Sequence, residues 1–166
     1  MKKTVATLLI AGSVLTLSAA DINIGAGVAL TSDGSSVKIP IDISETLRVE
    51  PEVSFGYSSY KDNSDSEFGL LAGVYLMSQP SENINLYYGG KVGFVVASTT
   101  TKYDTDFGGS STKTNSANSF ALIPTAGFEY FIDPSVSIGG EAGFALGFGD
   151  VTTVGLTTQT SLRYYF

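Results

Sequence analysis

The chain closes on Thr153-Val154-Gly155-Leu156-Thr157-Thr158-Gln159-Thr160-Ser161-Leu162-Arg163-Tyr164-Tyr165-Phe166. Even positions carry Val154, Leu156, Leu162, Tyr164 and Phe166, with Thr158 and Thr160 between them. Odd positions carry Gly155, Thr157, Gln159, Ser161 and Arg163, and then Tyr165. A period of two over that length describes a strand with one apolar and one polar face. The last residue is an aromatic, with no polar tail after it.

The same alternation recurs upstream, interrupted by segments rich in Gly, Pro, Asn, Asp and Ser. It predicts seven earlier strands: Ile22–Leu30, Val37–Ser44, Leu47–Ser59, Glu67–Met77, Ile84–Ala97, Ser119–Ile132 and Val136–Gly149. Short turns are expected at Glu45-Thr46, Ser78–Asn83 and Asp133–Ser135. Longer or more polar loops are expected at Thr31–Ser36, Tyr60–Ser66, Ser98–Asn118 and Asp150–Thr152. An up-and-down order puts both termini at the short-turn end. Outer-membrane barrels have this asymmetry of turns and loops.

At the other end of the chain, Lys2 and Lys3 precede an apolar run from Val5 to Leu17 and a small-residue site at Ser18-Ala19-Ala20. This reads as a secretory signal peptide over 1–20, with the barrel over 21–166. The apolar run is shorter than the roughly 20 residues of a spanning helix. Removing Lys2 and Lys3 from the 9 basic residues leaves 7 against 16 acidic ones, a net charge of −9. Such a balance argues against nucleic acid as a partner. There is no cysteine, so disulfides do not staple the exported domain. No later stretch is apolar enough for a spanning helix, so any passage through a membrane uses strands.

A closed eight-stranded sheet allows two senses. A soluble exported ligand-binding barrel turns its apolar face inward; a membrane barrel turns it outward. The apolar faces carry more Ile, Leu, Phe and Tyr than an eight-stranded interior can hold. The polar faces are dominated by Gly, Ser, Ala and Thr rather than by the Lys and Glu of a soluble surface. Aromatics also sort by height. Tyr88, Tyr130, Tyr164 and Phe166 fall near the short turns; Phe55, Tyr57, Phe68, Phe120 and Phe148 fall near the loops. Two girdles flanking an aliphatic band fit the two interfaces of a bilayer. The expected fold is therefore all-β, an eight-stranded antiparallel up-and-down transmembrane β-barrel.

In that sense Lys38, Asp42, Arg48, Glu50, Glu52, Lys91, Glu129, Glu141 and Arg163 all point into the barrel. Hairpin symmetry sets Asp42 beside Arg48 and Lys38 beside Glu52, and sets Glu141 beside Arg163 with Glu129 close by. Charges in so narrow a space must pair, which predicts a network that plugs the lumen. The alternative is a charged constriction in a narrow porin-like passive channel. Pro40, Pro51 and Pro124 fall inside expected strands of a ring with no free edge; bulges that absorbed them would slip the facing locally in the second, third and sixth strands.

Enzyme chemistry finds little support. With no histidine and no cysteine, Ser-His-Asp and Cys-His nucleophiles are excluded, as are His- or Cys-ligated metals. Glu129 with Glu141 is the one candidate carboxylate pair for acid–base work. Sharing Arg163 is the simpler reading of that pair. Asp62-Asn63-Ser64-Asp65-Ser66-Glu67 has oxygen ligands for calcium but not the spacing of a known loop. No cofactor is implied, and the expectation is a non-enzyme.

The signal peptide, the eight alternating strands and the terminal Leu162-Arg163-Tyr164-Tyr165-Phe166 together resemble the eight-stranded outer-membrane barrel families: OmpA-type transmembrane domains, OmpX-type and opacity-type surface proteins. The resemblance implies a location in the bacterial outer membrane with both termini periplasmic. It implies lipid and lipopolysaccharide around a monomeric barrel. It also makes Leu162, Tyr164 and Phe166 the signal read by the barrel-assembly machinery. Members act as adhesins, anchors or narrow pores. The expected role is surface interaction or envelope integrity, with an outside partner met through loop Ser98–Asn118. The chain lacks the periplasmic peptidoglycan-binding domain of full-length OmpA-type proteins, which argues against an anchor.

Overall fold

The computed structural model describes residues 22–32, 34–104, 110–150 and 152–166. The expected signal peptide lies outside them. Nine strand segments follow in order: β1 (Asn23–Thr31), β2 (Gly34–Lys38), β3 (Ile41–Ser44), β4 (Leu47–Tyr60), β5 (Asn63–Ser81), β6 (Ile84–Asp104), β7 (Ser110–Asp133), β8 (Val136–Gly149) and β9 (Thr153–Tyr165). Each pairs antiparallel with its neighbours, and β1 closes the ring on β9 from Gly25↔Tyr165 to Thr31↔Gln159. β2 and β3 lie end to end between β1 and β4. The ring therefore has eight positions and no free edge along its barrel portion.

The split of the expected second strand has a local cause. Ile39 stands opposite Pro51, and Gly25 stands opposite Pro40. At each place a pair would exchange two backbone bonds, but proline has no N–H. Only the Ile39 N–H to Pro51 carbonyl bond (3.0 Å) and the Gly25 N–H to Pro40 carbonyl bond (2.9 Å) remain. The register is nonetheless the same on either side, with Lys38↔Glu52 at the end of β2 and Ile41↔Val49 in β3. At Pro124 the ladder to β8 lapses between Leu122↔Leu146 and Thr125↔Gly143 and resumes in the same register. The facing does not slip at any of the three prolines, because gaps rather than bulges absorb them.

The apolar faces are outside. Leu30, Leu70, Val74, Phe94, Leu122 and Leu162 are exposed, while Lys38, Arg48 and Glu129 are 0% exposed. This is the membrane sense of the barrel and the reverse of a soluble one. Phe55 packs edge-on against Phe68, and Phe94 against Phe120, around the loop end. Tyr164 packs edge-on against Phe166 at the turn end.

The loops are shorter than expected because pairing continues into polar sequence. Thr31–Ser36 is partly β2, and the Ser78–Asn83 turn shrinks as β5 runs to Ser81. The acidic Tyr60–Ser66 loop reduces to a turn at Lys61-Asp62, with Lys61 at φ 51°. The largest correction concerns Ser98–Asn118. Val96↔Asn118 through Asp104↔Ser110 are paired, so most of that stretch is a β-hairpin. Thr and Ser favour strands when cross-strand hydroxyls can bond, as Ser98 with Ser116 (2.9 Å) and Thr100 with Thr114 (3.1 Å) do.

Candidate functional site

The inward side chains divide the lumen into two storeys. The storey nearer the short turns is filled. Arg48 (β4) donates to Asp42 (β3) through Nε at 2.6 Å and Nη2 at 3.2 Å, and through Nη1 to Glu129 (β7) at 3.0 Å. Tyr165 (β9) accepts from Arg48 Nη2 at 2.6 Å and donates to Glu129 at 2.6 Å. Ser137 (β8) also donates to Glu129. Arg163 (β9) donates through Nε to Glu50 (β4) at 3.2 Å, and its Nη1 lies 3.7 Å from Glu129. Lys38 (β2) donates to the other oxygen of Glu50 at 3.1 Å.

Above Lys38 the network becomes a four-membered ring. Lys38 lies 3.6 Å from Glu52 and 3.8 Å from Glu141; Lys91 lies 2.8 Å from Glu52 and 2.6 Å from Glu141. Gln159 donates its amide to Glu141. All nine charged residues singled out in the sequence thus fall in one connected set, with five acids against four bases. A buried charge is tolerated only where partners replace its hydration. Here each guanidinium and ammonium has at least two carboxylates.

The structure sets Asp42 opposite Arg48 and Lys38 opposite Glu52 in register. It does not set Glu141 beside Arg163. The β8–β9 register pairs Glu141 with Gln159 and Ser137 with Arg163. The expectation centred the hairpin on Thr152. The ladder ends at Gly147↔Thr153, which centres it on Asp150 and moves each partner by four residues, two inward positions. Arg163 reaches across the lumen to Glu50 instead, and Glu141 meets Lys91. Glu129 and Glu141 lie in different parts of the network, bound to different bases, and do not form an acid–base pair. Asp65 and Glu67 are held in β5, and no group of three or more potential metal ligands gathers among the described residues.

Three tyrosines that the sequence reading did not place in the lumen complete the packing. Tyr75 and Tyr87 meet edge to face at 5.2 Å, and Arg163 lies 5.6 Å from the Tyr87 ring centre. Arg48 stacks likewise on Tyr165 at 5.6 Å. These rings lie flat because glycines leave room. A Cβ on Gly73 would meet the Tyr75 ring at 2.6 Å, and one on Gly127 would meet Tyr87 at 2.5 Å. The available signal was parity: Tyr75, Tyr87 and Tyr165 fall on the inward phase of strands whose neighbours Val74, Tyr88 and Tyr164 face out.

The storey nearer the loops is hollow. Glu52, Lys91 and Gln159 floor a cavity of about 340 Å³ that opens towards the loop end. Around and above it the rim is uneven. β2 pairs with β4 only as far as Gly34↔Gly56, and β8 with β7 only as far as Ser119↔Gly149. β4 to β7 continue beyond those points as a four-stranded wall. Asn118 marks the base of the wall's β7 edge, exchanging bonds with Asp150: its N–H goes to the carboxylate (2.9 Å) and its carbonyl receives the Asp150 N–H (3.1 Å). At the alternate residues Ser116, Thr114 and Thr112 the backbone faces the same side, and no described strand pairs with it there. On the outer face of the terminal strand, Leu162, Tyr164 and Phe166 are exposed, and the Phe166 N–H bonds the Ile24 carbonyl at 3.0 Å.

Neither a protein-family model nor a curated protein matches the chain. Solved structures do resemble it. Ail, the attachment invasion locus protein of Yersinia pestis, is similar with a TM-score of 0.59 and 14% identity, over 87% of this chain and 95% of that one. Ail in complex with the heparin analogue sucrose octasulfate gives a TM-score of 0.58 at 17% identity, over 87% and 95%. Neisserial surface protein A gives 0.58 at 18%, over 87% and 96%. The N-terminal β-barrel domain of Pseudomonas aeruginosa OprF gives 0.50 at 14%, over 87% and 96%. These are eight-stranded outer-membrane β-barrels of OmpA/OmpX/Ail type. At such identities the likeness is one of fold.

Proposed function

We propose that this chain is a non-enzymatic surface protein of the bacterial outer membrane. Its lumen is closed by the charge network, and its β4–β7 wall stands outside the cell to meet a partner. The observation that carries this reading is the contrast between a turn-end storey of the lumen that is filled from wall to wall and an outer wall whose backbone groups at Ser116, Thr114 and Thr112 meet no partner among the described residues. A lumen blocked across one whole storey suits no transported solute. An exposed strand edge is a ready template for an extended segment of another polypeptide.

The apolar band fits lipid and lipopolysaccharide around a monomer. An even number of strand positions puts both termini at one end, the periplasmic one in this reading. Leu162, Tyr164 and Phe166 are then free to be read by the barrel-assembly machinery during insertion. The name of Ail, an attachment protein, supports surface contact as the kind of role. The acid excess of this chain disfavours a polysulfated ligand such as the one crystallised with Ail.

The chain has no native cysteine, which makes topology testable in intact cells of a Gram-negative host. A membrane-impermeant maleimide is expected to label Thr101→Cys in the wall and to spare Ser135→Cys in a short turn. The reverse pattern overturns the orientation. In planar bilayers the refolded protein is expected to show no stable current steps. Ion-selective steps would replace the closed barrel with the narrow channel.

A further inference from the structure

The inward faces of the strands change character above the charged floor, and they do so differently on the two sides of the ring. On β5 to β8 the cavity is lined by Leu71, Val95, Ala121, Ile123 and Ala145. On β9, β1 and β4 it is lined by Thr153, Thr157, Thr31 and Ser54. A lumen that merely holds water is polar throughout, so a continuous apolar wall inside it calls for another reason. About 340 Å³ falls within the range of roughly 300–1,000 Å³ found for small-molecule sites. An apolar wall with a few convergent polar groups is the usual make-up of such sites.

The floor selects the head group. Lys91 is spent on Glu52 at 2.8 Å and Glu141 at 2.6 Å, so it has little to give an incoming anion. Gln159, 8% exposed, donates its amide N–H to Glu141, which fixes the orientation of the amide. Its Oε1, buried at the base of the cavity, accepts no hydrogen bond from the described residues. Glu52 also lines the cavity, and the network beneath carries one more acid than base. The floor therefore offers acceptors and a negative field to a hydrogen-bond donor.

We propose that this vestibule binds a small organic ammonium ion. The ammonium group sits on Gln159 Oε1 and the Glu52 side of the floor, and a short apolar body lies against Leu71, Val95 and Ala121. The site depends on the floor staying closed. It does not depend on the outer wall meeting a partner. An opened floor shows as current steps in the bilayer, whereas failure of the site alone shows as a silent bilayer with no saturable binding.

The test is solution NMR of the whole barrel refolded in micelles, titrated with n-butylammonium chloride and, in parallel, with n-butanol and sodium butyrate. The Gln159 side-chain amide and the methyls of Ala121, Ala145 and Ile123 report the vestibule. The outward methyls of Leu70 and Leu122 report partition into the micelle. Butylammonium is expected to shift the vestibule signals saturably. Butanol and butyrate should bind roughly tenfold more weakly or worse, the equivalent of about 1.4 kcal/mol. Ala145→Phe, which fills the cavity from β8, should abolish the response, and Ala121→Met does the same from β7 if the phenyl ring prevents refolding. An equal response to butanol overturns the choice of head group. Shifts that survive both filling variants, or that never saturate, overturn the site.

Discussion

The two storeys of the lumen are built by one alternation and end in opposite states. Near the short turns the inward positions hold Arg48, Tyr75, Met77, Tyr87, Glu129, Arg163 and Tyr165, and the space is full. Near the loops they hold Ser54, Ala121, Ala145, Gly147 and Thr157, and the space is a cavity. Parity decides only which side of the wall a residue occupies. The volume of the inward residue decides whether the barrel is closed at that height. The same distinction separates the energetic roles of the storeys. The full one holds its charges only through mutual pairing, whereas the hollow one is lined by small side chains and contributes little to stability.

The comparison breaks first at Glu129, which touches Arg48, Arg163, Tyr165 and Ser137. Glu129→Ala leaves two buried guanidinium groups short of a partner and is expected to lower unfolding stability by about 3–5 kcal/mol. Urea titration of the refolded protein, followed by heat-modifiable gel mobility, measures it. Arg163→Glu should lower stability by a similar amount by setting a third acid beside Glu50 and Glu129. Unchanged stability in both would mean that the network is incidental.

Next in size is the aromatic filling. Tyr87→Ala removes the ring that packs on Tyr75 and covers Arg163. It should cost about 3 kcal/mol and raise current noise or brief openings in planar bilayers. A silent bilayer would show that the charges alone close the lumen.

A smaller contrast lies in the outer wall. The Thr114 N–H faces the free edge, and the Asn115 N–H faces β6. Asn115→Pro is therefore expected to cost about 1 kcal/mol through a lost ladder bond. Thr114→Pro should leave stability nearly unchanged while closing the edge to an added strand. Comparing the two variants by urea midpoint and by hydrogen exchange at β6 amides checks the assignment. The smallest effect belongs to the hollow storey. Ala121→Ser should stay within about 0.5 kcal/mol of the parent protein, and a larger loss would mean that the cavity is more tightly packed than it looks.

Much of this was legible from alternation. A strand in a closed barrel has no choice of period, so Ile24, Val28, Phe94 and Leu162 announce the outer face and Lys38, Glu52, Glu129 and Arg163 the inner one. Residues about the tight Glu45-Thr46 turn announce their partners too, because a two-residue turn leaves register little freedom. The partner of Glu141 was not legible. The β8–β9 connection is longer, and its centre depends on where the ladder stops rather than on residue type. The Ser98–Asn118 stretch was misread for a related reason. Polar Ser, Thr and Asn look like loop when each strand is read alone, but cross-strand hydroxyl bonds and the template of β5 hold them in a sheet. The effect of the prolines was not legible either, since it is neighbouring strands that keep the register through the gaps.

By itself the sequence determined the class of fold, the side of the wall on which each residue stands and the absence of histidine and cysteine chemistry. These follow from a period of two and from composition, which need no long-range contact. The tertiary structure decided which charges meet across the lumen, that Tyr75, Tyr87 and Tyr165 fill it, and that a cavity remains above the floor. Those outcomes depend on strands far apart in the chain facing one another over a few ångströms. That distance is set by closure of the ring and not by any local run of residues.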